Sequence, residues 1–206
     1  ALDRLEDGWS VVIDDGTRME CDAVLLTCPA PQARALLVQS DVVVPESLAR
    51  MEFRRIIAGL VTLDAPPALP EPGALQLDPA DADATLGFVA DNHRKGISAV
   101  PAVTAHATWA WSADMWRDPD DVLAERLVAA LAPWVEPRSV ADVTIRRWRF
   151  AAPVEPWPAP CWAHDERRVV IAGDLFAGPK IEGAYRSGLA AAAAIAGFDD
   201  AAASAR

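Results

Sequence analysis

The sequence predicts an α/β fold carrying an α+β insert, and three observations predict it. Residues 169–172, VVIA, form an uninterrupted apolar run rich in β-branched side chains, the pattern of a strand buried on both faces. Gly173-Asp174 ends that run, and from about Glu182 the pattern turns helical and very small-sided. Residues 23–26, AVLL, make a second fully apolar strand, stopped at Thr27-Cys28-Pro29-Ala30-Pro31 and followed by a helical stretch. Between the two, strands joined mainly by turns and one long helix describe a largely antiparallel sheet covered on one face. Strands near Val24 and Val170 are expected to be neighbours in one sheet.

Taken in order, residues 9–13 are β-rich, and Asp14-Asp15-Gly16-Thr17 is a strong hairpin turn. Residues 19–26 return as one strand, and residues 32–37 read as a short helix. From Val42 the composition changes. Residues 45–50 suit a short helix, and IIAGLVTL at 56–63 is a strand closed by the Pro-rich 65–72. Short strands follow at 74–77 and 85–90, and Asp91-Asn92-His93-Arg94-Lys95-Gly96 turns sharply. Residues 103–111 form the next strand, with one helical turn starting at Ser112. Residues 119–131 are an amphipathic helix with Asp118 as N-cap and acids in the first turn. Residues 140–150 are the last strand of the block, with Trp148 and Phe150 on one face and Arg147 and Arg149 on the other. Trp109, Trp111, Trp116 and Trp134 are expected to pack this sheet against its helix. Residues 153–160 hold four prolines and must be an extended linker. The Ala-rich tail after Phe198 is the one low-complexity stretch.

At 206 residues the chain suits one large domain or two small ones, and 52% apolar residues supply a sizeable core. Acids outnumber bases 30 to 19, and the net charge of −11 argues against nucleic acid or an anionic membrane as partner. No apolar run reaches the length of a membrane span, and no charged-then-apolar leader opens the chain. Cys21, Cys28 and Cys161 are odd in number, without a CxxC pair or His partners at metal spacing. Three reduced, mostly buried thiols in a bacterial-type cytosol are the expectation, hence a cytoplasmic location and no metal.

The stretch RVVIAGDLFAGPKIEGAYRSGLAAAAAIAG organises the chain. Gly183, Ser187 and Ala191 share one helical face, with Ala184, Gly188 and Ala192 beside them, so the helix can lie close to another backbone or a flat ligand. Its N-terminus points unpaired N–H groups and a positive dipole end forward. Asp174 aims a carboxylate into the same crevice, where ligands of open α/β sheets bind. From pattern alone the stretch reads equally as a strand and helix closing a sheet, with Asp174 a turn residue. By position alone Asn92 is a turn residue, and His106, between Ala105 and Ala107, a satisfied core histidine. No G-x-S-x-G, HExxH or Cys/His pair at reactive spacing competes.

The strand, Gly-Asp, loop, IEGAYRSG and Ala-rich helix resemble the C-terminal flavin-binding motif of the FAD-dependent amine oxidases, and within them the renalase-like branch most of all. LGFVADNHRKGIS, VTAHATWAWS and IRRWRFAAP resemble renalase-like sequences too, and CDAVLLTCPAPQARALL resembles the return strand to the flavin sheet. The resemblance implies FAD as cofactor, with Asp174 on the ribityl chain and Gly173 beside it. The helix start at Ile181, Glu182, Gly183 and Ala184 would face the pyrimidine edge, and Pro29 would pass near the cofactor. Asn92, His106 and Trp148 become substrate-pocket residues. The isoalloxazine would do the redox work, and the catalytic side chains stay unassigned.

No two of the eleven glycines lie two residues apart, so the G-x-G-x-x-G fingerprint of a dinucleotide-binding βαβ unit is absent. The chain also starts at Ala1 without an initiator Met. It is expected to be the C-terminal part of a longer flavoprotein: an FAD/NAD(P)-binding-domain remnant, lacking the N-terminal Rossmann βαβ unit, at 1–40 and 155–206, with a mostly antiparallel substrate domain and linker at 41–154. The implied activity takes hydride from a reduced small molecule, a dihydronicotinamide or an amine, and reduces O2 to H2O2. The chain is expected to need the N-terminal segment or a partner chain. The alternative is a truncated, non-catalytic binding module.

Overall fold

The structure, a computed structural model, describes residues 1–77 and 84–204. It divides into two units, Ala1–Phe53 with Ala152–Arg206, and Arg54–Ala151. Residues 41–53, expected in the inserted block, belong instead to the first unit, because Val42, Val44 and Leu48 are buried in its core with Leu37 and Val169.

The first unit opens on an antiparallel sheet of β1 (Leu2–Leu5), β2 (Gly8–Val12) and β3 (Arg18–Cys21). The expected turn joins β2 to β3: Asp15 Oδ1 accepts from Thr17 N at 2.8 Å, and Gly16, at φ 86°, donates to Ile13 O at 3.0 Å. Trp9 roots this sheet; it is fully buried, and its indole N–H donates to Arg167 O at 2.9 Å. Next come β4 (Val24–Leu26), α1 (Ala30–Val38) and α2 (Glu46–Ala49). The single strand expected over 19–26 is two. β3 is mostly exposed and completes the hairpin, whereas β4 buries Val24 and Leu26 and pairs in a different sheet. A continuous β pattern does not say where the backbone changes partner.

The second unit is built from β5 (Phe53–Leu63), β6 (Ala74–Gln76), β7 (Leu86–Asp91), β8 (Ala102–Ala107), α3 (Trp109–Asp114), α4 (Asp120–Leu131) and β9 (Val140–Pro153). The strands form one sheet in the order β6-β7-β8-β5-β9. The β6–β7, β7–β8 and β5–β8 pairs are antiparallel. Asp64 N donates to Ser139 O and Val154 N to Glu52 O, so β9 also runs antiparallel to β5. Side chains alternate across a sheet. On one face Ile57, Val61, Val89, Val103 and Ile145 pack with Leu123, Leu127 and Leu131 of α4, which recur at helical spacing and are fully buried.

Three expectations change here. The strand expected over 103–111 stops at Ala107, because Thr108 caps α3: its Oγ1 accepts from Trp111 N at 3.2 Å. Asp118 does not cap α4. Pro119 holds that position without a side-chain cap, while the Asp118 carbonyl accepts from Arg147 Nη2 at 2.6 Å. Trp111, Trp116 and Trp134 pack on the sheet core as expected. Trp109 instead is 50% exposed, with the Arg54 guanidinium 5.7 Å from its ring centre.

The chain then returns to the first unit as β10 (Trp162–His164), β11 (Val169–Ile171) and α5 (Ile181–Ser204). β11 lies between β10, antiparallel, and β4, parallel, with Val170 opposite Leu25. The expected adjacency of the strands near Val24 and Val170 therefore holds. Ala191 and Phe198 of α5 pack on Val170 and Ala172. The Ala-rich tail is not set apart from the helix: α5 runs to Ser204, as the high helix propensity of Ala favours, and the last two residues lie outside those described. Among the described residues no helix is long and apolar enough to cross a membrane.

Candidate functional site

β4 and β11 run parallel, so their C-terminal ends open on the same edge of the sheet. An open cleft of about 650 Å³ lies there, lined by Thr27, Ala172, Gly173, Asp174, Pro179, Lys180, Ile181, Ala184 and Gly188. Asp174 sits in a tight turn closed by Phe176 N donating to Gly173 O at 3.1 Å. Leu175 and Phe176 are buried, and Trp157 N donates to Leu175 O at 2.9 Å, so the turn is rooted while Asp174 is exposed. The loop then bends back onto α5 through Ala177 and Gly178, at φ 56° and 109°.

The start of α5 faces the cleft with little obstruction; Ile181 is 92% exposed. Ala184 N is bonded to Lys180 O at 2.9 Å, which leaves the N–H groups of Ile181, Glu182 and Gly183 at the free positive end of the helix. The cleft wall on α5 is the Ala184–Gly188 row, and a Cβ at Gly188 would have nothing within 4 Å. The neighbouring Gly183–Ser187–Ala191 row is buried, Gly183 under the Gly178 loop, Ser187 at Gly173 and Ala191 on Val170 and Ala172.

Of the expected cofactor residues, Gly173, Asp174, Ile181 and Ala184 line the cleft; Pro29, Glu182 and Gly183 do not. Pro29 precedes α1, its carbonyl accepting from Gln32 N and Ala33 N, and Thr27 lines the cleft in its place. Thr27, Ala172, Pro179 and Lys180 were not singled out for the site by sequence, and Gly188 only as part of a small-sided helical face. Its signal was the spacing, four residues beyond Ala184 on the same helical row.

By alternation Asn92, His106 and Trp148 lie on the other face of the five-stranded sheet, just past the end of β7, on β8 and on β9 respectively, away from the face packed on α4. His106 stands across from Ala58 on β5 and Phe88 on β7, its ring 5.5 Å from that of Phe88. It is half-buried, and burial pushes its pKa below the ordinary histidine value, with Lys95 adding to the shift. Asn92 Nδ2 donates to Thr104 Oγ1 at 2.8 Å, and Thr104 is on the same face, two residues before His106. Trp148 alternates away from buried Ile145 and is 59% exposed. The neighbouring arginines have structural partners. Arg147 binds the carbonyls of Trp116 and Asp118 and the Asp120 carboxylate, and Arg149 lies over the Phe150 ring at 5.4 Å. His93 is exposed, whereas His164 is half-buried, edge-on to Trp162.

No curated protein matches the chain. Solved structures do. Cyclohexylamine oxidase from Brevibacterium oxydans IH-35A matches with TM-score 0.61 at 14% identity, over 97% of this chain and 48% of that one. A protein described as a protoporphyrinogen oxidase, from Exiguobacterium sp. 255-15, matches with TM-score 0.59 at 16% identity, over 97% of this chain and 45% of that one. An A394C mutant of putrescine oxidase matches with TM-score 0.57 at 14% identity, over 95% of this chain and 47% of that one. These likenesses are of fold, and the chain spans about half the length of each of those structures. The model of the flavin-containing amine oxidoreductases matches residues 1–196, nearly the whole sequence, and the chain belongs to that family, whose cofactor is FAD.

Proposed function

We propose that this chain is the C-terminal part of an FAD-dependent oxidase, and that the cleft beyond β4 and β11 receives the flavin end of FAD. The observation that carries the reading is the convergence of an exposed carboxylate, a helix N-terminus and a wall of Ala172, Ala184 and Gly188 on one cleft. The Asp174 carboxylate accepts hydrogen bonds from ribityl hydroxyls, with Gly173 and Thr27 near that chain of the cofactor. The positive end of α5, which reaches the cleft at Ile181 and Ala184, meets the pyrimidine edge, where negative charge collects on reduction. The small-sided wall lets a flat ring lie close. Held there by Asp174 and the start of α5, a bound flavin would supply the hydride acceptor and the route of electrons to O2, giving H2O2.

The face holding Asn92, His106 and Trp148 is the substrate face in this reading. Asn92 and a neutral His106 both donate and accept hydrogen bonds, and Trp148 offers an apolar wall. A dihydronicotinamide-type substrate, as in the renalase-like branch, suits these groups better than an amine. Stopped mixing of the full-length flavoprotein with each substrate class, without oxygen, tests this. Bleaching by the dihydronicotinamide and not by amines supports the reading, and the reverse pattern overturns it.

A second reading is favoured by one observation. The sheet ends at β4, and an apolar hollow of about 390 Å³ lined by Leu2, Val11, Val24 and Leu26 lies beside it. A missing N-terminal segment or a partner chain would add there, and the chain by itself would be a partner-dependent module without activity. The visible flavin spectrum of the purified chain, read with and without an added N-terminal segment, tests this dependence.

A further inference from the structure

We infer that Ser187 is the positioning residue for the Asp174 turn, an inference that rests on reading the cleft as the flavin end of FAD. The β11–β4 ladder ends where Ala172 N donates to Leu26 O at 3.0 Å. The next N–H, on Gly173, has left the ladder. It donates to Ser187 Oγ at 3.0 Å, reaching from strand end to helix.

Ser187 is fully buried. The other buried residues of α5 through Phe198 are Gly183, Ala191 and Phe198, so Ser187 is the polar exception on a face that otherwise packs apolar or bare backbone. Alanine fills such a place at least as well and is the better helix former. What the hydroxyl adds is an acceptor for Gly173. Gly173 stands at φ 144°, a conformation that glycine enters and leaves with little cost. Its carbonyl closes the turn by accepting from Phe176 N. With the Gly173 N–H held by Ser187 as well, the peptide units on both sides of Asp174's neighbour are oriented, and the carboxylate is aimed at the cleft. Ser187 touches neither the carboxylate nor the cofactor; it acts through Gly173.

The test is a double-mutant cycle in the full-length holoprotein, read as the dissociation constant of FAD, the resolved shoulders of the bound-flavin spectrum and the urea midpoint of the apoprotein. Ser187→Ala is expected to weaken FAD about tenfold and blur the shoulders, because the turn loses its orienting bond. In an Asp174→Ala background the same substitution is expected to change FAD affinity less than twofold, since there is no carboxylate left to aim. An equal loss in both backgrounds, or a loss tracked by a fall in the urea midpoint alone, makes Ser187 structural and overturns the inference. A wild-type-like Ser187→Ala also overturns it. If Asp174→Ala by itself leaves FAD binding unchanged, the reading of the cleft fails as well, which separates that failure from this one.

Discussion

A Cβ on Gly183 would overlap the carbonyl oxygen of Gly178. The loop that follows the Asp174 turn is folded back onto the first turn of α5 so closely that only a residue without a side chain fits. Gly183→Ala must push the Gly178 peptide away. It is expected to cost about 1–3 kcal/mol of stability, the range for overpacking a tight contact. It should also weaken FAD in the full-length protein, because the loop and the helix N-terminus move apart. Urea unfolding and FAD titration of the same preparation check both effects.

Asp174 is exposed at the cleft, so its removal costs the fold little. In the full-length protein Asp174→Ala is expected to weaken FAD by roughly ten- to a hundredfold, the loss of one charge-assisted hydrogen bond of about 1.5–3 kcal/mol. Asp174→Asn, which keeps the shape and one acceptor, should fall between. Fluorescence titration of apoprotein with FAD measures the series; an unchanged urea midpoint shows that the loss is local.

The chain alone is expected to purify colourless. A carboxylate contact of about 1.5–3 kcal/mol and a helix-end contact of about 0.3–2 kcal/mol fall short of the roughly 8 kcal/mol that micromolar binding needs. Supplying the N-terminal segment should restore colour. A yellow chain with one FAD per molecule would place the affinity in these 206 residues after all.

Arg147 ties β9 to the approach of α4. Its guanidinium donates to Trp116 O at 3.2 Å, to Asp118 O at 2.6 Å and to the Asp120 carboxylate, with its side chain 29% exposed. Lysine cannot reach three acceptors in that fan. Arg147→Lys and Arg147→Ala are both expected to lower stability by about 1–3 kcal/mol, with alanine the worse. A urea series on the two variants checks the order; a lysine variant as stable as wild type would contradict the clamp.

His106 should make stability pH-dependent. Burial holds its pKa below the ordinary 6.5, so below pH 6.5 the unfolded chain binds the proton more readily than the folded one. The stabilising contribution is complete above pH 6.5 and is lost as pH falls through the folded value. His106→Gln should flatten this part of the curve. Denaturant midpoints collected between about pH 5 and 8 for both proteins report the difference.

The amino-acid sequence by itself determined the local elements and the chemistry at their ends. The apolar runs at Val24 and Val170, the Asp15-Gly16 turn, the Leu123–Leu127–Leu131 stripe and the strand-to-helix passage at Gly173-Asp174 are each written in a few neighbouring residues. Periodicity and turn chemistry act over that range, so they are legible there. Tertiary structure alone decided which partner takes each backbone group and which helical row is buried. Residues 19–26 keep one β pattern, yet change sheets after Cys21 because the hairpin and β11 compete for different halves. The apolar run past Ala107 suits strand or helix alike, and the Thr108 cap made it helix. Asp118 looked like a cap, but its carbonyl went to an arginine 29 residues on. On α5 two small-sided rows lie side by side in the sequence; packing on Val170 and Ala172 buried Ala191, on the row of Gly183 and Ser187, and left Ala184 and Gly188 at the cleft. The bond from Gly173 to Ser187 spans 14 residues and two elements, and only the packed chain brings that donor and acceptor within reach.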